Sequence, residues 1–160
     1  MIALRYNGGM DELTLAYLAG CMDSDGYFTI RRDDYPVRAG KQLTPTYQEQ
    51  VGLRQVTPFV PTLLHSLFGG SLYVTKPSTP NGRPLVSWHA NSIKASTAVR
   101  ALLPFLHVKT EQANTLLLLR DDKDQRKHSR GVNGAFLPKP ADAVGETLRL
   151  RVKELNRVGV

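Results

Sequence analysis

The spacing of apolar and polar residues changes several times along the chain, and each change marks an element. Leu13 to Met22 is apolar on nearly every side, so a helix here is expected to be buried on more than one face. Asp11 is placed to cap it, with Glu12 favourable in its first turn; residues 1–10 read as irregular. From Tyr27 to Asp33 the period drops to two, with Phe28 and Ile30 on one side and Tyr27, Thr29 and Arg31 on the other, the pattern of a half-buried strand. Residues 34–46, with Pro36, Gly40 and Pro45 among basic side chains, read as a hairpin loop. A second strand from about Tyr47 to Val56 puts Tyr47, Val51 and Leu53 on the core side and Gln48, Gln50, Gly52 and Arg54 on the other.

Thr57-Pro58 predicts a helix opening, cap then first-turn proline. Leu63, Leu64, Leu67 and Phe68 form its stripe and Gly69-Gly70 its stop. Residues 71–76 predict a short strand with Leu72 and Val74 inward and Tyr73 and Thr75 outward. After a turn around Asn81-Gly82, residues 83–91 predict a fourth strand with Val86 and Trp88 inward and Arg83, Ser87 and His89 outward. Asn91 or Ser92 caps a third helix that ends at Pro104, and Thr110 opens a fourth through about Arg120. Residues 121–134 are charged and loop-like, and Asp142 starts a last helix with Val144, Leu148, Val152 and Leu155 on its stripe. Four strands with one apolar and one polar face require helices on one side only. The expected class is therefore α+β, an αββαββα order with a four-stranded antiparallel sheet, helices on one face and extra C-terminal helices. All of it is expected to form one domain over residues 1–160, with a core at about 11–120 and an extension at about 121–160.

Composition narrows the function classes. With 160 residues and 41% hydrophobic positions, a sizeable core is available. No apolar stretch reaches the roughly 18 residues of a membrane span, and the start of the chain lacks the pattern of a secretory signal. Cys21 is the only cysteine, which excludes an intrachain disulfide and a cysteine-based zinc site and makes an intracellular compartment the default. An organelle, a bacterial or archaeal cell and a phage host are equally compatible. The net charge of +7 suits a polyanionic partner. No Gly-rich phosphate loop, nucleotide-cofactor motif or Ser-His-Asp pattern is present, and the four histidines have no zinc-like spacing.

The end of the first helix departs from local preference. Asp23 and Asp25 sit where the helix dipole favours cations, and Gly26 follows as an αL stop. Such departures mark functional sites. Ala16, Gly20 and Ser24 fall at i, i+4 and i+8 and make a strip of small residues that lets two helix backbones approach.

Leu18 to Gly26, LAGCMDSDG, resembles the LAGLIDADG signature of homing endonucleases at Leu18, Ala19, Gly20, Asp23, Asp25 and Gly26. The resemblance implies a site-specific, double-strand DNA endonuclease that hydrolyses phosphodiesters with divalent metal. Magnesium is expected, with manganese able to substitute and calcium able to bind without cleavage. A single copy of the motif implies a homodimer meeting along Ala16, Gly20 and Ser24. The sheet would be saddle-shaped and follow the DNA major groove. Asp25 would be the metal-binding acid, with the Ser24 carbonyl a further ligand. Lys109, in LPFLHVKTEQA, resembles the family's lysine near the active site, with a role in polarising phosphate or water. Gln55, at the end of the second strand, resembles its water-orienting glutamine.

The polar strand faces then supply candidate base readers: Tyr27, Thr29, Arg31, Gln48, Gln50, Arg54, Tyr73, Thr75, Arg83, Ser87 and His89. Arginine reads guanine and glutamine reads adenine. Arg38, Lys41, Lys76, Lys94, Arg126, Lys127 and Arg130 are expected on phosphates, which position without specifying. Strands of about nine residues span roughly 30 Å, about nine base pairs, so a dimer is expected to cover a pseudo-palindromic target of roughly 18–22 base pairs. A non-cleaving nucleic-acid binder on the same fold, an RNA maturase or a transcription regulator, is the alternative, and a basic structural dimer a second one.

Overall fold

In a computed structural model the described residues are 11–34, 44–77, 79–126 and 142–158. The elements follow in the order α1 (Glu12–Asp25), β1 (Gly26–Asp33), β2 (Thr46–Gln55), α2 (Phe59–Phe68), β3 (Ser71–Thr75), β4 (Leu85–Asn91), α3 (Ser92–Leu102), a 3-10 turn (Leu103–Phe105), α4 (Thr110–Arg126) and α5 (Ala143–Val158). This is the expected α+β order. The four strands form one antiparallel sheet in the order β1-β2-β4-β3.

The strand periods translate directly into the two faces of the sheet. Phe28, Ile30, Tyr47, Val51, Leu53, Trp88 and Ala90 are buried beneath the helices. Leu18, Ala19 and Met22 of α1, Ala95, Val99 and Leu102 of α3, and Leu116 and Leu119 of α4 close over them; each fully buried Leu contributes roughly 1.5–3 kcal/mol. The Trp88 indole N–H donates to the Gly69 carbonyl at 2.8 Å, which satisfies the one polar atom of the largest core side chain. Gly69 and Gly70 end α2 with φ of 67° and 97°, and a Cβ on Gly70 would stand 2.4 Å from the His89 carbonyl oxygen.

Several local expectations are corrected. Gly26 is extended, with φ −75° and ψ 162°; glycine is needed there because a Cβ would meet Met22 at 2.6 Å. Pro58, not Thr57, occupies the cap of α2 and accepts from the Thr62 N–H. Leu72 and Val74 share the helix-side face with Trp88 and Val86 by register, yet both are exposed, because at the sheet edge no helix covers them. Arg83 precedes β4 in a loop. α4 continues six residues past Arg120, because Lys123 and Arg120 reach a carboxylate buried in the sheet. Glu49, fully buried on the helix side of β2, accepts from Lys123 Nζ at 2.7 Å and lies 3.7 Å from the Arg120 guanidinium.

α5 covers the β1 side of the sheet. Val152 is buried, and the Asn156 amide donates to the Phe28 carbonyl at 2.9 Å. Asp142 caps the helix, accepting from the Gly145 N–H at 2.8 Å. Val144 of its expected stripe is exposed instead.

α1 is the largest departure. Leu15, Leu18, Ala19 and Met22 are buried, whereas Leu13 is 79% exposed, Tyr17 is 51% exposed, and Ala16 and Gly20 are open to solvent. Cys21 is half-buried. One apolar side faces the core and the other faces outward, with no atom of the described residues within 4 Å of where a Gly20 Cβ would stand.

Candidate active site and nucleic-acid interface

Two segments 84 residues apart meet where α1 ends. The Asp23 carboxylate accepts from the backbone N–H groups of His107 at 2.8 Å and Lys109 at 2.9 Å, so it caps the start of α4 from a neighbouring element. Burial works to raise the Asp23 carboxyl, but these donors and the Lys109 charge outweigh it and hold the group below its ordinary range. In the other direction, Lys109 Nζ donates to the carbonyls of Met22 at 2.9 Å, Ser24 at 3.3 Å and Gly26 at 2.6 Å. This is the cation that an acid-bearing helix C-terminus calls for. Burial pushes the Lys109 ammonium below the usual lysine range, against the pull of Asp23 and Asp25.

Asp25 is exposed at the end of α1. Its Oδ2 accepts from Gln55 Nε2 at 2.8 Å, because Gln55 shares the helix-side parity of Leu53 at the end of β2. Both line a cleft of about 510 Å³ with Tyr17, Arg54, Val56 and Phe59. Tyr17 packs on Phe59 with ring centroids 6.5 Å apart. The structure thus brings Asp25, Gln55, Ser24 and Lys109 together. Lys109 reaches main-chain carbonyls, and the Ser24 carbonyl is among its acceptors.

Among the described residues no three His, Cys, Asp or Glu side chains gather as a metal cage. What this chain offers is a hard carboxylate oxygen, Asp25 Oδ1, free of the Gln55 bond, beside the Ser24 carbonyl, which Lys109 holds only at 3.3 Å. Magnesium is held by one or two carboxylates and keeps its waters, so this donor set fits it.

The open face of the sheet is organised in rows by the strand register. Arg54, Ser87 and Tyr73 form the row nearest the cleft. Tyr27, Gly52 and His89 form the next, then Thr29, Gln50 and Asn91, then Arg31 and Gln48. The Tyr27 ring lies over Gly52, where a Cβ would meet its hydroxyl at 2.5 Å. Burial raises the Tyr27 hydroxyl pKa, against the nearby Arg54 charge. His89 packs edge-on against Tyr73. Ser87 is on this face but covered, 1% exposed, with its hydroxyl 3.4 Å from that of Thr75. Arg31 donates to Gln48 Oε1 at 3.0 Å and pairs with Asp33 at 2.9 Å. Lys76 and Arg83 are exposed beyond the β3–β4 end. Arg38, Lys41, Lys127 and Arg130 lie outside the described residues.

Sequence reasoning missed the capping role of Asp23, because its partners come from a distant segment. It also passed over Asn91 as a member of the open face, although β4 parity with Ser87 and His89 places it there. No family model matches the chain and no curated protein matches it. The fold is that of the LAGLIDADG homing endonucleases. The homing endonuclease I-CvuI in complex with DNA shares it at a TM-score of 0.54 and 20% identity, over 91% of this chain and 96% of that one. The archaeal intron-encoded homing endonuclease I-Vdi141I complexed with DNA matches at 0.55 and 13%, over 91% and 98%. The LAGLIDADG meganuclease I-CpaMI bound to uncleaved DNA matches at 0.54 and 12%, over 96% of this chain but 47% of its own. At these identities the fold is what is shared. I-CvuI was solved in the presence of 2 mM Mg and of 2 mM Ca.

Proposed function

We propose that the protein is a homing endonuclease that acts as a homodimer and hydrolyses both strands of a long, pseudo-palindromic DNA target with a divalent cation. One observation carries this reading. Asp25 stands solvent-exposed at the foot of an exposed apolar helix face, with one oxygen fixed by Gln55 and the other free. A lone carboxylate makes a poor metal cage, whereas two copies of α1 packed along Leu13, Ala16, Tyr17 and Gly20 would bring two carboxylates to one duplex. The match to about half the length of I-CpaMI supports the same arrangement.

Phosphodiester hydrolysis needs an activated water, neutralised phosphate charge and a stabilised leaving oxygen; a magnesium ion would be held by Asp25, with the Ser24 carbonyl, a long 3.3 Å acceptor of Lys109, as a further ligand, and would supply these as a Lewis acid. Gln55 restricts the Asp25 carboxylate to one orientation. Lys109 fixes the end of α1, and its ammonium adds positive charge beside the phosphate. The open sheet face, with Arg54, Gln50, Gln48, Arg31 and the aromatic row, lies in the major groove. The basic side chains at its ends meet phosphates.

The test is cleavage of DNA flanking the protein's own gene, in magnesium and in EDTA, with Asp25→Asn beside the wild type. Cutting only in magnesium, and binding without cutting by the variant, is expected. Cutting in EDTA, or by Asp25→Asn at the wild-type rate, overturns the reading. Tight binding by the wild type with no cutting in any divalent metal returns the non-cleaving binder.

A further inference from the structure

The rows of the open face are not equally free to read bases, and the difference yields a prediction about the target. Arg31 is already engaged, its guanidinium shared between Asp33 and Gln48, so one of the two lone pairs of the Gln48 carbonyl oxygen is committed and its amide is tied to Arg31 instead of being free to align on a base edge. In the aromatic row β2 contributes Gly52, with no side chain, and the Tyr27 ring fills the space above it. Ser87 is covered. Two side chains of β2 remain. Among the described residues neither Arg54 nor Gln50 makes a side-chain hydrogen bond or ion pair, and both lie on the open face. Arg54 is exposed beside the Asp25 cleft, and Gln50 stands four residues further out, flanked by Thr29 and Asn91. Asn91 Oδ1 is buried without a partner among the described residues, an acceptor left without a donor in that row.

We propose that sequence discrimination on the open face is concentrated in Arg54 and Gln50, which select a guanine and an adenine about four base pairs apart in each half of the target. The spacing follows from strand geometry: four residues of strand advance about 13–14 Å, and base pairs stack at about 3.4 Å. The guanine is the one nearer the site of cutting, because Arg54 shares the cleft with Asp25. Arginine reads guanine O6 and N7 through two parallel donors, which lysine cannot reproduce with the same geometry.

This inference rests on reading the open face as the DNA surface, and its test separates the two. The full-length protein is used to select from a randomised duplex library in calcium, with Arg54→Lys, Arg54→Ala and Gln50→Ala beside the wild type. The wild type is expected to enrich a G and an A about four base pairs apart in each half-site. Arg54→Lys should retain binding but lose the G preference by roughly 5- to 150-fold. Gln50→Ala should lose the A alone. An Arg54→Lys variant with unchanged preference, or an Arg54→Ala variant that weakens all sequences equally, would make Arg54 a phosphate contact and overturn the proposal while leaving DNA binding intact. Enrichment at other positions that responds to neither residue overturns it in the same way. If the wild type enriches no duplex, the assignment of the face as a DNA surface fails with it.

Discussion

Asp23 and Asp25 are two residues apart and differ in every physical respect. Asp23 is half-buried, takes two backbone N–H groups and titrates below its ordinary range; Asp25 is exposed and has one side-chain partner. A carboxyl with a lowered folded pKa stabilises the fold fully above its unfolded pKa of about 3.9. That stabilisation is lost as pH falls through the lowered value. Asp23→Asn removes this dependence and leaves one backbone donor facing an amide N–H. The variant is expected to lose about 1–2 kcal/mol at neutral pH, as for a lost helix cap. Its urea midpoint should also fall less steeply than the wild type's below pH 4, a comparison that equilibrium unfolding at several pH values makes directly. The motif pointed to both acids in the sequence, and the misfit of acids at a helix C-terminus was visible there too. The resolution of that misfit was not: Lys109 was legible only as a residue near the site, and its three carbonyl acceptors depend on α4 starting beside the end of α1.

Among the elements, the strands were the easiest to read, because period two survives wherever a sheet has one covered face. Phe28, Ile30, Val51, Leu53 and Trp88 all fall on the side their spacing assigns. β3 shows the limit of that signal, since alternation gives parity and says nothing of whether a helix reaches the edge. Glu49 shows another: it has the parity of the core, but its partner Lys123 comes from a stretch whose charges read as a loop. A buried ion pair adds little against an apolar replacement, while removing one partner strands a charge. Lys123→Met leaves Glu49 only the Arg120 guanidinium at 3.7 Å, and should therefore cost at most about 3–5 kcal/mol. The double variant Glu49→Leu/Lys123→Met should recover most of that loss, because Arg120 keeps Asp124 as its partner. Chemical denaturation of the two variants decides it; equal losses would show that packing, not charge, controls this contact.

For the whole molecule, the exposed side of α1 is the feature without a partner among the described residues. Apolar residues all round a helix predict burial all round, and the fold supplies only half of it. Gly20 offers a clean probe, because a Cβ there meets nothing among the described residues and glycine inside a helix costs roughly 0.5–1 kcal/mol relative to alanine. Gly20→Leu is expected to keep or slightly raise thermal stability in dilute solution, to sediment as a monomer where the wild type sediments as a dimer, and to lose cleavage. Unchanged sedimentation in both proteins would move the seam elsewhere.

The mutual hold between Asp23 and the 107–109 backbone, and between Lys109 and the end of α1, has a mechanical consequence. The acid and the lysine cannot slide past one another, so each chain carries this corner as a fixed block. In the proposed dimer, any change in the span between the two corners would come from how one chain tilts against the other.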